Sequence, residues 1–159
     1  MQEKPTNELD DLLENMTPDQ LSKYRKENKD YLVDNDRPFY QYMKKTANEK
    51  RVKLKDMYSF AGISESYGDK LVRMEKHTTN RDAIIRLCIA GHFTWKETDR
   101  ALKLYGFNEL YAKDPRDACI IVTINQMRKS RKYDLSIMDD VLESQGFEKL
   151  SIDEKNLEK

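Results

Sequence analysis

Between Ser64 and Lys76 the chain concentrates side chains that can bond bases or pair with phosphates, in the stretch SESYGDKLVRMEK. Serine hydroxyls and a tyrosine (Ser64, Ser66, Tyr67) suit base edges, and Glu65 can accept from cytosine N4. Lys70, Arg73 and Lys76 suit phosphates, and Lys53 and Lys55 extend the basic set upstream. Catalytic chemistry finds no such cluster. Phosphate-binding glycine loops are absent, as are GxSxG and HExxH. Cys88 and Cys119 lie in the apolar runs IIRLCIA and DACIIV, surroundings that raise a thiol's pKa and suit buried, reduced cysteines. Two cysteines without a CxxC, and only two histidines, make neither a disulfide framework nor a zinc site. Asp10–Asp11 and Asp139–Asp140 are adjacent pairs on helices, so their side chains diverge and read as solvated surface. The expectation is a binding protein with no catalytic residue, cofactor or metal.

The elements that would position the Ser64–Lys76 side chains are two short helices. Leu54, Met57, Tyr58 and Ala61 share one face at helical spacing. Gly62 supplies the positive φ of a sharp break, Ile63 follows as a buried plug, and Ser64 caps the next helix. Tyr67, Leu71 and Met74 form its inner stripe. Ser64, Glu65, Ser66, Asp69, Lys70 and Arg73 fall mainly outside. This is the layout of a helix-turn-helix, whose second helix offers its first residues to a major groove. The same spacing also suits an αα-corner of any helical protein. A supporting helix precedes it, opened by Pro38 and lined by Phe39, Tyr42, Met43 and Thr46. NEKRVK (48–53) reads as a basic connection.

A chain of 159 residues suits one domain with an appendage. It is rich in Lys, Glu, Leu and Met, with five glycines and four prolines, and lacks alternating β-branched runs, so all-α is expected. No apolar stretch approaches the roughly 20 residues of a membrane span. The polar, acidic start MQEKPTNELDD is unlike a signal peptide, so a cytoplasmic location is expected. Net charge is zero but unevenly spread. Residues 1–36 and 134–159 each carry −5, while 37–80 and 81–133 each carry +5. A basic middle favours a nucleic-acid surface there.

In chain order, Leu9, Leu12, Leu13 and Met16 mark a first helix. TPDQ (17–20) starts a second with a capping box, continuing through Leu21, Tyr24, Asn28 and Tyr31 and ending at DNDR (34–37). Residues 81–150 repeat themselves. RDAIIRLCIAGHF (81–93) resembles RDACIIVTINQMR (116–128) at an offset of 35, and TDRALKLYGFNEL (98–110) resembles MDDVLESQGFEKL (138–150) at 40. The difference matches an insertion near KSRKY (129–133). Each repeat reads as a helical hairpin. Thr94 and Glu97 make a capping box, Asp114–Pro115 a helix start, and Gly106 and Gly146 end helices, with Phe107 and Phe147 packing back. The organisation expected is an acidic helical segment (1–36), a helix-turn-helix (37–80), a two-unit hairpin repeat (81–150) and a charged tail (151–159).

AGISESYGDKL (61–71), NRDAIIRLCIA (80–90), ETDRALKLYGFNELYAKDPRDACII (97–121) and LESQGFEKL (142–150) resemble Xre/Cro-type helix-turn-helix proteins, in particular a poorly characterised Firmicutes group. The resemblance implies a bacterial, lambda-repressor-like domain packed with two trailing hairpins, and a DNA-binding transcriptional regulator acting on double-stranded DNA. Such proteins commonly dimerise, and the apolar repeat region is the expected homodimer surface. Two positions depart from the pattern. Tyr58 stands where that family has a small residue, and Gly68 where it has a bulky one. Tyr58 filling the space left by Gly68 would conserve core volume. Glu65 and Asp69 also weaken the outer face for phosphate, so Lys70, Arg73, Lys76 and Arg81, with Lys44, Lys45, Lys50, Arg51, Lys53 and Lys55, have to compensate. The alternative reading is a helical protein-interaction module on a helix-turn-helix scaffold that has lost DNA binding. RNA binding through Tyr24, Tyr31, Tyr40 and Tyr42 is less favoured, because their helical spacing suits core packing.

Overall fold

Local capping rules account for where the helices begin and end. A computed structural model describes residues 6–29 and 37–151, and every regular element among them is helical. The chain divides into two compact units, Met1–Asp36 and Arg37–Lys159. In the first, α1 spans Thr6–Glu14, and a 3₁₀ turn at Pro18–Gln20 leads into α2 at Leu21–Glu27. Gln20 Oε1 accepts from the Thr17 N–H at 3.0 Å, as the TPDQ spacing requires. Tyr24 and Asn28 are buried, while Leu12, Leu13 and Leu21 stay largely exposed. One expectation is corrected here, since α2 ends at Glu27 with Asn28 as its C-cap and does not run on to DNDR. The expected role of Tyr31 and most of the tail lie outside the described residues.

In the second unit, α3 spans Pro38–Glu49, α4 Leu54–Phe60 and α5 Glu65–Val72. The turn between α4 and α5 forms as its residues dictate. Gly62 has φ 76°, Ile63 is buried, and Ser64 Oγ accepts from the Tyr67 N–H at 3.3 Å. One expectation is corrected. Met74 does not continue α5, because it stands past the helix end at φ 62°. There Glu75 N–H bonds Lys70 O at 2.8 Å and closes the helix with the pattern usually completed by glycine.

The remaining helices are α6 (Arg81–Ala90), α7 (Trp95–Tyr105), α8 (Pro115–Ser130) and α9 (Leu135–Ser144). Thr94 and Glu97 form their reciprocal capping box at 2.9 and 3.2 Å, and Asp114 caps α8 through the Arg116 and Asp117 N–H groups. Gly106 and Gly146 have φ 109° and 82°, and Phe107 and Phe147 each bond back five residues at 2.8 Å. Helices α6 and α7 pack as one hairpin and α8 and α9 as another. The residues added to the second hairpin lengthen α8 at its C-terminus.

The hairpins are held together by an exchange of ion pairs. Arg81 forks onto Asp117 at 2.9 and 2.9 Å, and Arg116 forks onto Asp82 at 3.0 and 2.9 Å. Each arginine also holds carbonyls just beyond the second helix of its own hairpin. Arg81 bonds Asn108 O and Glu109 O, and Arg116 bonds Glu148 O and Lys149 O. Equivalent aspartates then fix equivalent loops. Asp99 accepts from the Leu110 N–H at 3.0 Å and Asp139 from the Leu150 N–H at 3.1 Å. The repeat seen in the sequence is therefore a repeat of contacts, arranged about a pseudo-two-fold.

This corrects the reading of Asp139 as solvated surface. It is half-buried, holds Leu150, and lies 3.7 Å from Arg86. Arg86 spans the interior, bonding Ala61 O at 3.1 Å and Leu150 O at 2.9 Å. Around it, Phe39, Met43, Met57, Tyr58, Leu71, Ile85, Leu102, Ile120 and Leu142 belong to one continuous buried cluster. Cys88 is buried and Cys119 half-buried, and both are free thiols.

Candidate nucleic-acid interface

Helix α5 stands on α3 and α4, which decides what its outer side can present. Glu65, Ser66 and Lys70 are exposed. Ser64 is exposed as well, but its hydroxyl is engaged as the cap. Tyr67 turns inward. Its ring is half-buried and its hydroxyl is buried without a hydrogen-bond partner among the described residues. Burial pushes that hydroxyl up to about 12. The side chains brought to the entering end are therefore Ser64, Glu65, Ser66 and Lys70, with Tyr67 beneath them.

Two grooves flank this end and meet at Leu54. One, of about 630 Å³, is lined by Lys55, Tyr58, Glu65, Ser66, Asp69, Lys70 and Glu75 along with Leu54. Its charge is mixed. The other, of about 700 Å³, runs between α3 and α4 and is lined by Tyr40, Gln41, Lys44, Lys45, Asn48, Val52, Lys53 and Leu54. It contains lysines and no acid. Lys44, Lys45, Lys53 and Lys55 are all exposed.

Arg73 and Arg81 are both engaged within the chain. Arg73 Nε is 3.1 Å from Asp69 Oδ2, its Nη2 donates to Tyr40 Oη at 3.2 Å, and its guanidinium lies 4.6 Å from the Tyr40 ring centroid. The nearby Asp69 carboxylate raises its pKa further. The guanidinium is thus spent on joining α5 to α3. Arg81 is spent on Asp117 and two carbonyls. The contacts of Arg73 with Tyr40 and of Arg81 with Asp117 join separate elements and leave no local sign in the sequence, whereas the Arg73–Asp69 pair is a local i,i+4 one. Lys50 is likewise paired, with Glu97 at 3.0 Å. Lys76 is half-buried after α5.

Tyr40 packs against the core as its spacing suggested, and it has a second set of contacts. Its half-buried ring carries Arg73 on its face and has Lys44 Nζ 5.8 Å from its centroid. It borders the lysine groove, so an aromatic edge and three lysines share one surface. Charge counting located this basic stretch but not the groove. The groove forms where the connection through Val52 and Lys53 to Leu54 folds back beside α3.

Among the described residues no cluster of histidine, cysteine and carboxylate side chains could hold a metal ion, and no helix is long and apolar enough to cross a membrane. Against known proteins, the chain matches no family model, no curated protein and no solved structure at a significant level.

Proposed function

We propose that residues 37–80 form a DNA-binding helix-turn-helix and that the protein is a small transcriptional regulator of the Xre/Cro type. In this reading α5 enters the major groove, with Ser66 and Glu65 near base edges and Ser64 behind them as the cap. Lys70 and Lys55 flank it. The observation that carries the reading is the acid-free groove of Lys44, Lys45 and Lys53, continuous at Leu54 with the exposed face of α5. A phosphate strand leaving the major groove meets those lysines. Their contribution is electrostatic and independent of sequence.

The test is binding of random duplex DNA to the full chain across a salt series, starting at low salt. With about four lysines on phosphate, log K falls with log salt at a slope of roughly −4. The double variant Lys44→Glu, Lys53→Glu loses about half of that slope. Absence of binding at low salt overturns the proposal.

One observation favours the second reading, a helical protein-interaction module on a scaffold that has lost DNA binding. Glu65, Asp69 and Glu75 line the same groove as Lys55 and Lys70. A mixed surface of this kind suits a protein partner of mixed charge better than a polyanion. Absence of DNA binding together with a partner that is displaced by Glu65→Lys would establish it.

A further inference from the structure

The pseudo-two-fold makes each position of the first hairpin a reference for its counterpart in the second. On the first hairpin, α4 covers one arc of α6. A Cβ on Gly91 would meet Met57 Sδ at 2.8 Å, and Ala83, Ile84, Leu87 and Ala90 of the same arc are buried. Helix α3 covers the matching side of α7. Tyr42 Oη donates to Glu97 O at 3.3 Å, Phe39 meets Tyr105 edge-on at 4.9 Å, and Ala101 is buried.

The second hairpin has the same arcs, and no other helix among the described residues of its own unit covers them. Val122 takes the place of Leu87 and is 66% exposed where Leu87 is 0%. Ala118 and Cys119 replace Ala83 and Ile84 and are half-exposed. On α9, Ile137 and Val141 replace Glu97 and Ala101 and are half-exposed. The centre is apolar and the rim polar, with Gln126 in place of Gly91 and Gln145 in place of Tyr105. That is the composition of an interface that forms between folded proteins. The first hairpin shows what such a surface takes, namely a pair of helices laid on it by their apolar sides.

We propose that a second copy of this chain docks here, two-fold, with α8 of each protomer against α9 of the other. The charges of the face are self-complementary. Lys129 lies on the open arc of α8 and Asp140 on that of α9, both exposed and neither in an ion pair among the described residues. A two-fold brings the basic helix of one copy to the acidic helix of the other, the arrangement an isologous interface requires. The inference goes beyond the DNA reading and does not depend on it.

Sedimentation velocity of the full chain, over a concentration series reaching the high micromolar, tests it. The expected result is a concentration-dependent dimer. Val122→Asp weakens it roughly hundredfold by burying an unpaired carboxylate. Because Val122 is exposed within one chain, this variant keeps the wild-type helical circular dichroism, and its urea midpoint equals that of the wild type at concentrations where the wild type is monomeric. Lys129→Glu weakens the dimer about tenfold, and adding Asp140→Lys restores it. A wild-type chain that stays monomeric, a dimer indifferent to Val122→Asp, or a Lys129→Glu defect that Asp140→Lys leaves in place overturns the proposal.

Discussion

The Tyr58 ring occupies the space that a side chain at Gly68 would need. A Cβ built on Gly68 falls 2.5, 2.7 and 2.9 Å from the Cγ, Cδ1 and Cδ2 atoms of Tyr58. The large-for-small exchange expected from the sequence is thus present in the packing. It lets α4 and α5 approach through one aromatic ring.

Gly68→Ala should therefore destabilise the protein. Alanine gains about 1 kcal/mol in a helix interior over glycine. Overpacking a filled site costs about 1–3 kcal/mol, and the ring carbons it meets are close to the backbone and cannot swing away. Chemical denaturation should show a net loss for Gly68→Ala, and a smaller one when Tyr58→Leu is added. A stabilised Gly68→Ala would show that the ring yields freely.

The crossed pairs Arg81–Asp117 and Arg116–Asp82 should matter equally. Arg81→Ala leaves the Asp117 carboxylate, only 8% exposed, with the Tyr111 N–H as its donor. Loss of one partner from such a pair costs on the order of 3 kcal/mol. Arg81→Lys recovers only part of this, since an ammonium cannot fork and hold two carbonyls at once. Urea midpoints for Arg81→Ala and Arg116→Ala that differ widely would contradict the pseudo-two-fold.

The same pairs set the acid response. Burial alone would raise the Asp82 carboxyl, but the Arg116 fork and the Ser151 N–H reverse this and hold it below the ordinary carboxylate range. A folded value below the unfolded one means that this stabilisation is complete above about pH 4 and is lost as pH falls through the folded value. Asp99 has the opposite sign. Burial raises it, against the Leu110 N–H, so its contribution is present at low pH and lost as pH rises through its folded value. Urea midpoints measured from pH 7 downward should be flat and then fall below about pH 4. Asp82→Asn should lower the neutral plateau and flatten that fall. An unchanged acid limb would show that Asp82 titrates normally.

Arg73 separates the structural role from the interface role. Because it joins Asp69 and Tyr40, Arg73→Ala should lower the urea midpoint and leave the salt slope of DNA binding nearly intact. Lys70→Ala should do the reverse, reducing that slope by about 1. Anisotropy titrations of the two variants distinguish these outcomes, and a slope lost in Arg73→Ala would place that guanidinium on phosphate.

Helix boundaries were legible in the sequence wherever a cap or a turn is made by residues a few positions apart. The Thr94–Glu97 box, the Asp114–Pro115 start, Gly62 and the Gly106 and Gly146 stops all formed as their types require. The repeat was legible too, because its two copies keep the same residues at the same helical phase. Met74 misled because its spacing continued an apolar stripe past the point where the backbone turned. What tertiary structure alone decided was which charges remain available. Arg81 and Asp139 look like surface residues in sequence and become fasteners, since their partners are on other helices, in the case of Arg81 on the other hairpin, and Arg73 adds to its local pair with Asp69 a bond to Tyr40 on α3. An ion pair between distant segments leaves no local signature. It exists only once two helices meet at one distance and angle. The lysine groove and the open face around Val122 belong to the same class, because each is defined by which helix lies beside it or fails to.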